Sequence, residues 1–198
     1  MKNIKKNLSK LKMPKIKHPK IKHLDKKKKK IDSQSTKYVL LTIGSLLVFG
    51  KGYKYFNRNP NRTIPSGNNF VAPADGIVES IERDNRGYIK IQIFIGLTDV
   101  HYQRSPFFGS VVNITGNSSC NKIELSTIFG NTTIERWSGI LARTVVTKVK
   151  VGDIVGKGDI IGRILLGSHC SITIPKSMTI SVCVGDHLLA GETVVAEL

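Results

Sequence analysis

The chain has 198 residues, enough for one ordinary domain with an extension, and its formal net charge of +17 is concentrated at one end. Residues 1–58 hold 18 lysines and arginines against two aspartates, whereas residues 59–198 hold 13 basic and 12 acidic residues. The basic charge therefore belongs to a tail, and three cysteines without a CxxC pair or a histidine at metal-ligand spacing argue against a metal site or a disulfide scaffold.

The first 36 residues are predicted to form a disordered polybasic arm. The motif "PKIKH" occurs twice, at residues 14–18 and 19–23, and residues 26–30 are all lysine. Prolines interrupt a continuous helix, and repulsion between like charges favours an extended chain. Such an arm binds either nucleic acid or an anionic membrane surface, and the segment that follows decides between them.

The segment "YVLLTIGSLLVFG" (residues 38–50) contains no charged residue. As a helix it would be about 20 Å long, which is shorter than the hydrocarbon core of about 30 Å. An extension to Phe56 would nearly span that core, with its two lysines reaching the lipid head groups. We therefore predict a membrane-anchoring helix over residues 37–56 and a membrane-associated protein without a nucleic-acid partner. A buried core helix is the alternative. Residues 57–69, rich in Asn and Pro, are predicted to be a linker.

From Phe70 to Leu198 the segments are short, rich in β-branched residues and bounded by Gly, Asn or Asp. The predicted strands cover residues 76–82, 88–96, 109–115, 122–129, 131–137, 144–152, 159–166, 171–175 and 178–185. Residues 97–109 are predicted to be an irregular loop, and residues 138–144 a single helical turn. The pattern indicates a mostly β, compact sandwich or barrel.

An internal repeat supports this fold class. "VGDIVGKGDIIG" (residues 151–162) matches "VGDHLLAGETVV" (residues 184–195). In each copy the glycine is expected to supply turn geometry and the first aspartate to cap the turn. With "APADGIVESI" (residues 72–81) upstream, the repeat resembles the barrel-sandwich hybrid fold of biotinyl and lipoyl carrier domains.

Three places carry residue types that a β scaffold does not require. Gly167-Ser168 joins two β-type segments, and a strained turn there would let the Ser168 hydroxyl attack the Gly167 carbonyl. An acyl shift and elimination would then cut the chain and leave a pyruvoyl group; the alternative is a simple hairpin turn. Asp75 precedes a glycine, where a plain Asp-Gly turn is the alternative. His101 stands in the predicted loop close to Arg104, which suggests an acid/base or carboxylate-binding site.

The order of these motifs resembles the short form of phosphatidylserine decarboxylase over the whole segment from Phe70 to Leu198. The motifs that carry the resemblance are "APADGIV", "VHYQRSPFFGSV", "SGILAR", "VGDIVGKGDIIGRILLGSH" and "IPKSMTISVCVGDHLLAGETVVAEL". The resemblance implies a proenzyme cleaved between Gly167 and Ser168 into a β chain (1–167) and an α chain (168–198).

The resemblance also implies the chemistry and the partners. The pyruvoyl group derived from Ser168 would be the covalent cofactor. It would form a Schiff base with the amine of phosphatidylserine and act as the electron sink for loss of CO2, giving phosphatidylethanolamine. The implied partners are the phospholipid substrate, an anionic membrane surface and the α and β chains of one precursor. A homo-oligomer is left open.

Site residues follow from the same resemblance. Asp75 and His101 would complete an Asp-His-Ser triad for self-cleavage, and His101 could instead return a proton after decarboxylation. Arg104 and His169 are expected to bind substrate. The chain departs from the family at two of these positions: Arg104 replaces the histidine of the long-form triad, and His169 follows the serine where other members have Thr or Arg. Two alternatives remain open, a carrier domain modified on Lys176 and a membrane-tethered pseudoenzyme that does not process.

Overall fold

The computed structural model describes residues 33–139, 144–165 and 168–198, and this part of the chain is mostly β, as predicted. The chain divides into two compact units, residues 1–43 and 44–198, and all described strands belong to the second. The elements in chain order are α1 (Ser33–Phe56), β1 (Asn69–Val71), β2 (Gly76–Arg83), β3 (Ile89–Ile95), β4 (Tyr102–Arg104), β5 (Gly109–Gly116), β6 (Cys120–Thr127), β7 (Gly130–Ser138), β8 (Thr144–Thr147), β9 (Ile154–Val155), β10 (Ile160–Leu165), β11 (Ser168–Ile174), β12 (Thr179–Ile180), β13 (His187–Leu188) and β14 (Val194–Glu197).

These strands form one large sheet and two small ones. The large sheet has the order β13-β2-β3-β11-β7-β6-β5-β9, and the small sheets have the orders β1-β14-β12 and β4-β10-β8. In β3 the alternating sequence "IKIQIFI" buries Ile89, Ile91, Ile93 and Ile95 on one face. Burial of each such side chain contributes about 1.5–3 kcal/mol. One apolar cluster joins the large sheet to β1-β14-β12, and a second joins it to β4-β10-β8.

The internal repeat folds as two equivalent turns. Gly152 and Gly185 have φ values of 95° and 97°, in the left-handed region that glycine tolerates best. Asp153 and Asp186 each accept, on Oδ2, a 2.8 Å hydrogen bond from the amide three residues earlier. Both predicted roles are confirmed. The strands that follow the two turns, β9 and β13, form the two edges of the large sheet.

The strand predictions differ from the structure in particular places. Strand β4 lies within the predicted loop over residues 97–109, and the predicted strand over residues 178–185 contributes only β12. The predicted helical turn over residues 138–144 falls mostly outside the described residues. Strands β10 and β11 pair with different neighbours in different sheets, so the hairpin alternative for Gly167-Ser168 is wrong. The barrel-sandwich hybrid architecture stays a prediction.

The N-terminal predictions are tested only in part. The predicted arm lies outside the described residues up to residue 32, and α1 begins at Ser33 and includes the predicted anchor over residues 37–56. Across the described residues, no helix has both the length and the apolar character needed to cross a membrane.

Residues 57–68, which we call the strap, make up nearly all of the predicted linker and lie along the β domain. Nζ of Lys157 donates to the carbonyl oxygen of Gly67 at 2.8 Å. At the other end, Nη1 of Arg163 donates to Oδ1 of Asn57 at 2.5 Å. The strap is therefore bonded to the folded domain along its length.

Candidate active site

Two pairs of neighbouring strands are joined by two connections between sheets. Strands β3 and β11 are paired, with Ile95 opposite Ser168, and strands β4 and β10 are paired, with Tyr102 opposite Arg163. The β3–β4 connection therefore joins a strand that pairs with β11 to a strand that pairs with β10. The β10–β11 connection joins those two partner strands in turn. His101 ends the first connection, and Ser168 follows the second. His101 and Ser168 are 67 positions apart in the sequence. We call the place where these paired strands end the junction.

The backbone at this junction is directly bonded. The carbonyl oxygen of His101 accepts hydrogen bonds from the Ile164 amide at 3.0 Å and from Nε2 of Gln103 at 2.9 Å. Ser168 is the first residue of β11, and its backbone lies between Ile95 and Ser138. Gly167, the predicted partner in cleavage, lies outside the described residues.

His101 is buried, and its Nε2 has a free lone pair. His101 is 1% exposed, and its Nδ1 lies 2.9 Å from the carbonyl oxygen of Asp99. Because a carbonyl oxygen only accepts, Nδ1 of the neutral ring carries the proton and Nε2 carries the lone pair. Nε2 is buried and has no hydrogen-bond partner among the described residues. Burial lowers the pKa of His101, against the opposing effect of the bond to Asp99, so the ring is neutral at pH 7.

The C-terminal end of α1 covers this histidine. The ring of Phe56 lies 4.1 Å from the ring of His101, centroid to centroid. Two residues after Phe56, Nη2 of Arg58 donates to the carbonyl oxygen of Thr98 at 2.5 Å. The Arg58 guanidinium also lies 3.9 Å from the ring centre of Tyr55. The end of the helix and the β3–β4 connection thus form one packed unit that shields the imidazole from water.

Asp75 is bonded to the strap. Both of its carboxylate oxygens accept from Nη2 of Arg62, at 2.9 and 2.7 Å, and Oδ1 also accepts from the Ala190 amide at 2.8 Å. The side chains of Asp75 and Arg62 are 5% and 6% exposed. Arg62 forms a second ion pair, in which its Nη1 lies 3.2 Å from Oε2 of Glu192. The described contacts of Asp75 include no hydrogen bond to His101, whose Nδ1 is engaged by a backbone carbonyl instead.

Arg104 also holds the strap. Its Nη1 donates to the carbonyl oxygen of Gly158 at 2.8 Å, and its Nη2 donates to Oδ1 of Asn59 at 2.8 Å and to the carbonyl oxygen of Pro60 at 3.3 Å. Both terminal nitrogens of its guanidinium thus already donate to protein oxygens. Arg104 and Asp75, which the sequence assigned to one site with His101, both fasten the segment that follows α1.

His169 lies on the face of β11 opposite to that of the buried Cys170, because successive residues of a strand alternate between faces. Its Nε2 is 3.2 Å from Oε2 of Glu79, and its ring packs edge-on against Phe94 at 5.4 Å. It lines an open pocket of about 280 Å³ together with Lys90, Gln92 and Trp137. Lys176, the lysine of the carrier alternative, lies exposed in the turn after β11.

Sequence reasoning missed several residues of this region. Nothing in the sequence relates Phe56, Arg62 or Asp99 to His101 and Asp75, because these contacts are tertiary. Arg136 is different: in "NTTIERW" it shares the phase of the buried Thr132 and Ile134, so the alternation alone places an arginine on the core face of β7.

Comparison with known proteins gives a consistent result. The family model described as phosphatidylserine decarboxylase matches residues 49–196. A phosphatidylserine decarboxylase proenzyme of Anaplasma phagocytophilum (strain HZ) is 32% identical, covering 81% of this chain and 86% of the relative. A protein of the same name from Pelobacter propionicus (strain DSM 2379 / NBRC 103807 / OttBd1) is 33% identical, covering 83% and 81%.

A relative from Methanosarcina acetivorans is named for a different serine lipid, as an archaetidylserine decarboxylase proenzyme. It is 34% identical and covers 72% of this chain and 74% of its own length. The match extends over the candidate site, including the two connections at the junction and the Gly-Ser pair. The chain therefore belongs to the phosphatidylserine decarboxylase family of carboxy-lyases, whose members are made as proenzymes.

Proposed function

We propose that this protein cleaves itself between Gly167 and Ser168 and then decarboxylates phosphatidylserine to phosphatidylethanolamine at a membrane surface. One observation carries the proposal most directly. A buried histidine with a free, unprotonated Nε2 ends the β3–β4 connection, and the strands on either side of that connection pair with the strands on either side of the cleavage position. A buried nitrogen without a partner costs free energy, and a proton-transfer role explains why the fold retains it.

Self-cleavage needs a base at two stages. First, Nε2 of His101 takes the proton of the Ser168 hydroxyl while Oγ bonds to the carbonyl carbon of Gly167. The carbon–nitrogen bond then breaks, and the nitrogen receives the proton, which leaves an ester. In the second stage a base removes the Cα proton of Ser168, the Cβ–Oγ bond breaks and Gly167 leaves as a carboxylate. One water is consumed and one ammonia is released as the pyruvoyl group forms.

The pyruvoyl group would be held covalently at the first residue of β11, with its backbone between Ile95 and Ser138. When formed, it supplies the electron sink for decarboxylation. In this proposal Nε2 of His101 then returns a proton, since the same nitrogen that accepts one can donate it. His169, next to Ser168 and lining an open pocket, supports a contact with the polar head group.

Asp75 and Arg104 are proposed to act on the site from a distance. Asp75 is among the charges that raise the pKa of His101, although its effect is smaller than that of burial. The bonds of Arg104 to oxygens of Asn59 and Pro60 in the strap favour a role in holding the strap over a role in binding the substrate carboxylate.

Membrane contact is proposed at the end of α1. Tyr53 and Tyr55 are 71% and 53% exposed, and Leu97 on the adjoining β3–β4 connection is 63% exposed. Exposed aromatic and apolar side chains beside Lys51 and Lys54 suit the interface of an anionic bilayer, where the basic arm adds electrostatic attraction. A diacyl phospholipid stays in the bilayer, so an enzyme acting on its head group must work there.

The test is intact mass and a denaturing gel of the expressed chain, with an assay on phosphatidylserine vesicles. We expect fragments 1–167 and 168–198, a pyruvoyl group on the second, and release of CO2. Ser168→Ala should abolish both cleavage and CO2 release, and His101→Gln should strongly slow cleavage. A wild-type chain that stays uncut on incubation would contradict the proposal and favour the pseudoenzyme alternative. Archaetidylserine vesicles, assayed in parallel, would identify the preferred lipid.

A further inference from the structure

Asp99 closes the turn that follows β3 and carries the carbonyl group that contacts His101. Its Oδ2 accepts a 2.8 Å hydrogen bond from the Gly96 amide, and its own amide donates to the Gly96 carbonyl oxygen at 3.2 Å. The carbonyl oxygen of Asp99 lies 2.9 Å from Nδ1 of His101. One residue thus fixes the turn with its side chain and meets the imidazole with its backbone.

The carboxylate of Asp99 makes a further contact that a turn does not require. Asp153 closes the turn before β9 in the same way, with Oδ2 accepting from the Lys150 amide at 2.8 Å and its amide donating to the Lys150 carbonyl oxygen at 3.1 Å. In Asp99 the other oxygen, Oδ1, lies 3.2 Å from Nε2 of His187, the first residue of β13. Because a carboxylate only accepts, Nε2 of His187 carries the proton of this bond. Asp99 therefore joins the β3–β4 connection to an edge strand of the large sheet.

The elements on both sides of Asp99 are held in place. In β13, His187 is paired with β2 opposite Ile77. Nη2 of Arg58 donates to the Thr98 carbonyl oxygen at 2.5 Å, so the peptide group that precedes Asp99 is fastened as well. The carbonyl oxygen that faces the imidazole therefore has little freedom to turn away.

An acceptor in this position decides which nitrogen of His101 carries the proton. The neutral imidazole holds its single proton on either nitrogen, and the hydrogen bond made by one nitrogen selects the tautomer. With Nδ1 engaged by a carbonyl oxygen, Nε2 keeps the lone pair that proton transfer requires. If the Asp99 carbonyl turned away, both tautomers would be populated, and some molecules would carry the proton on Nε2.

Asp99 also acts on the charge of the imidazole. Burial lowers the pKa of His101, and the largest opposing effects are the bond to the Asp99 carbonyl and the negative charge of Asp99. Arg58 lowers this pKa further, and Asp75 raises it less than Asp99 does. Both carboxylate oxygens of Asp75 accept from Arg62 instead. The carboxyl group with the stronger influence on His101 is therefore that of Asp99.

We propose that Asp99, held by His187, is the positioning residue that fixes the tautomer of His101, in place of the Asp75 that the order of motifs suggested. The tautomer is a property of the uncut chain, and its use in self-cleavage rests on the proposed function. The side chain of His187 is 53% exposed, so its bond to Asp99 adds little to stability. Its principal effect is on geometry.

The test measures the tautomer directly. The full, uncut Ser168→Ala chain, labelled with ¹⁵N-histidine and held in detergent micelles, is titrated between pH 5 and 9. The ¹⁵N chemical shifts of the two ring nitrogens distinguish the tautomers. The chain has five histidines, and the signals that disappear in the Ser168→Ala/His101→Gln chain belong to His101. Self-cleavage of the same variants with Ser168 restored is followed on denaturing gels, and melting temperatures are measured on the uncut chains.

Two substitutions of Asp99 separate its shape from its charge. Asp99→Ala loses the bond to Gly96 and the contact with His187, so we expect a mixture of tautomers. Its cleavage should be about 10- to 100-fold slower, since general base catalysis contributes about 10²- to 10⁴-fold. Asp99→Asn keeps an oxygen for the Gly96 amide, so the tautomer should persist and cleavage should stay within about threefold of wild type. The pKa of His101 should fall further in Asp99→Asn, because a charge that raises it is lost.

Two substitutions of His187 test the holding contact. His187→Leu removes the donor to Oδ1 of Asp99 and should shift part of the population to the other tautomer. His187→Gln keeps an N–H donor on a side chain of similar reach and should retain the wild-type tautomer. Asp153→Ala opens the same kind of turn before β9, and Asp75→Asn removes the charge of the motif aspartate. Both should leave the tautomer of His101 unchanged.

Retention of the Nδ1 proton in Asp99→Ala would overturn the assignment, and so would a mixture of tautomers in Asp75→Asn or Asp153→Ala. If Asp99→Ala does not fold, Asp99→Asn and His187→Leu decide the question. An unchanged His101 pKa in Asp99→Asn, or an unchanged tautomer in His187→Leu, would then contradict the role. A wild-type chain that shows the Nδ1 tautomer but never cleaves would overturn the proposed function alone, so the two failures are distinguishable.

Discussion

The ring of Phe56, the last residue of α1, lies over the ring of His101, with the centroids 4.1 Å apart and the planes inclined at 38°. The helix that carries the proposed membrane contacts therefore ends directly on the proposed base. Whatever moves the end of α1 changes the access of water to His101, and with it the pKa on which proton transfer depends.

Phe56→Ala should raise the pKa of His101 towards its ordinary value, because water would reach the imidazole and burial is the largest cause of the present lowering. Self-cleavage needs the neutral ring, so the midpoint of its pH profile should move to higher pH. A time course of cleavage between pH 5 and 8 measures this. Tyr53→Ala, one turn earlier and 71% exposed, is the matched control. Equal profiles for Phe56→Ala and wild type would contradict the shielding role.

His101 should also make stability depend on pH. Its folded pKa lies below the unfolded value of about 6.5, so the unfolded chain binds more protons below that pH. The contribution of the buried neutral ring is thus present above about pH 6.5 and is lost as the pH falls towards the folded pKa. Urea unfolding of the uncut Ser168→Ala chain should show this loss, and the Ser168→Ala/His101→Gln chain should not. Parallel pH dependences of the two chains would show that His101 is not the group responsible.

The pair formed by Arg62 and Asp75 should be a major support of the strap. Both side chains are almost fully buried, so Arg62→Ala leaves an uncompensated carboxylate and should reduce the free energy of unfolding by about 3 kcal/mol. The ion pair of Lys90 with Glu135, at a similar distance of 2.8 Å but with both side chains partly exposed, is the control. Lys90→Ala should cost about 1 kcal/mol or less. Urea unfolding of the uncut chain distinguishes the two, and comparable losses would contradict the importance of burial.

The strands could be predicted because their evidence is local. The alternation in β3 and the two Val-Gly-Asp turns are visible in a few consecutive residues, and the structure has both. Strand β4 was missed because Tyr102–Arg104 is short and polar, and its partner β10 lies more than 50 residues away. The strap was predicted from composition as a linker. Composition shows that a segment is irregular, but not that its arginine bonds a buried aspartate.

The site was predicted less completely than the fold, for the same reason. That His101 and Ser168 act together stays a prediction from the order of motifs, and the pairing of β3 with β11 and of β4 with β10 is compatible with it. The bond between Nδ1 of His101 and the carbonyl of Asp99 could not be predicted. Any residue can offer a carbonyl, so no side chain marks that position in the sequence.

Leu97 offers the sharpest test of where the membrane binds. It is 63% exposed on the β3–β4 connection, which Arg58 ties to the end of α1 through the carbonyl oxygen of Thr98. Transfer of a leucine side chain out of water contributes about 1.5–3 kcal/mol, so Leu97→Asp should weaken binding to phosphatidylglycerol-containing vesicles at least about tenfold. Co-sedimentation of the full uncut chain with such vesicles measures the change.

Ile128 is the matched control for this experiment. It is 72% exposed in the turn between β6 and β7, so Ile128→Asp makes the same chemical change on another exposed turn. If the membrane contacts the end of α1 and the β3–β4 connection, Ile128→Asp leaves vesicle binding unchanged while Leu97→Asp weakens it. Equal binding by both variants and wild type would mean that the basic arm and α1 account for attachment by themselves. Raising the salt concentration then separates the contribution of the arm from that of α1. Screening weakens the electrostatic attraction of the arm but not the burial of apolar side chains of α1.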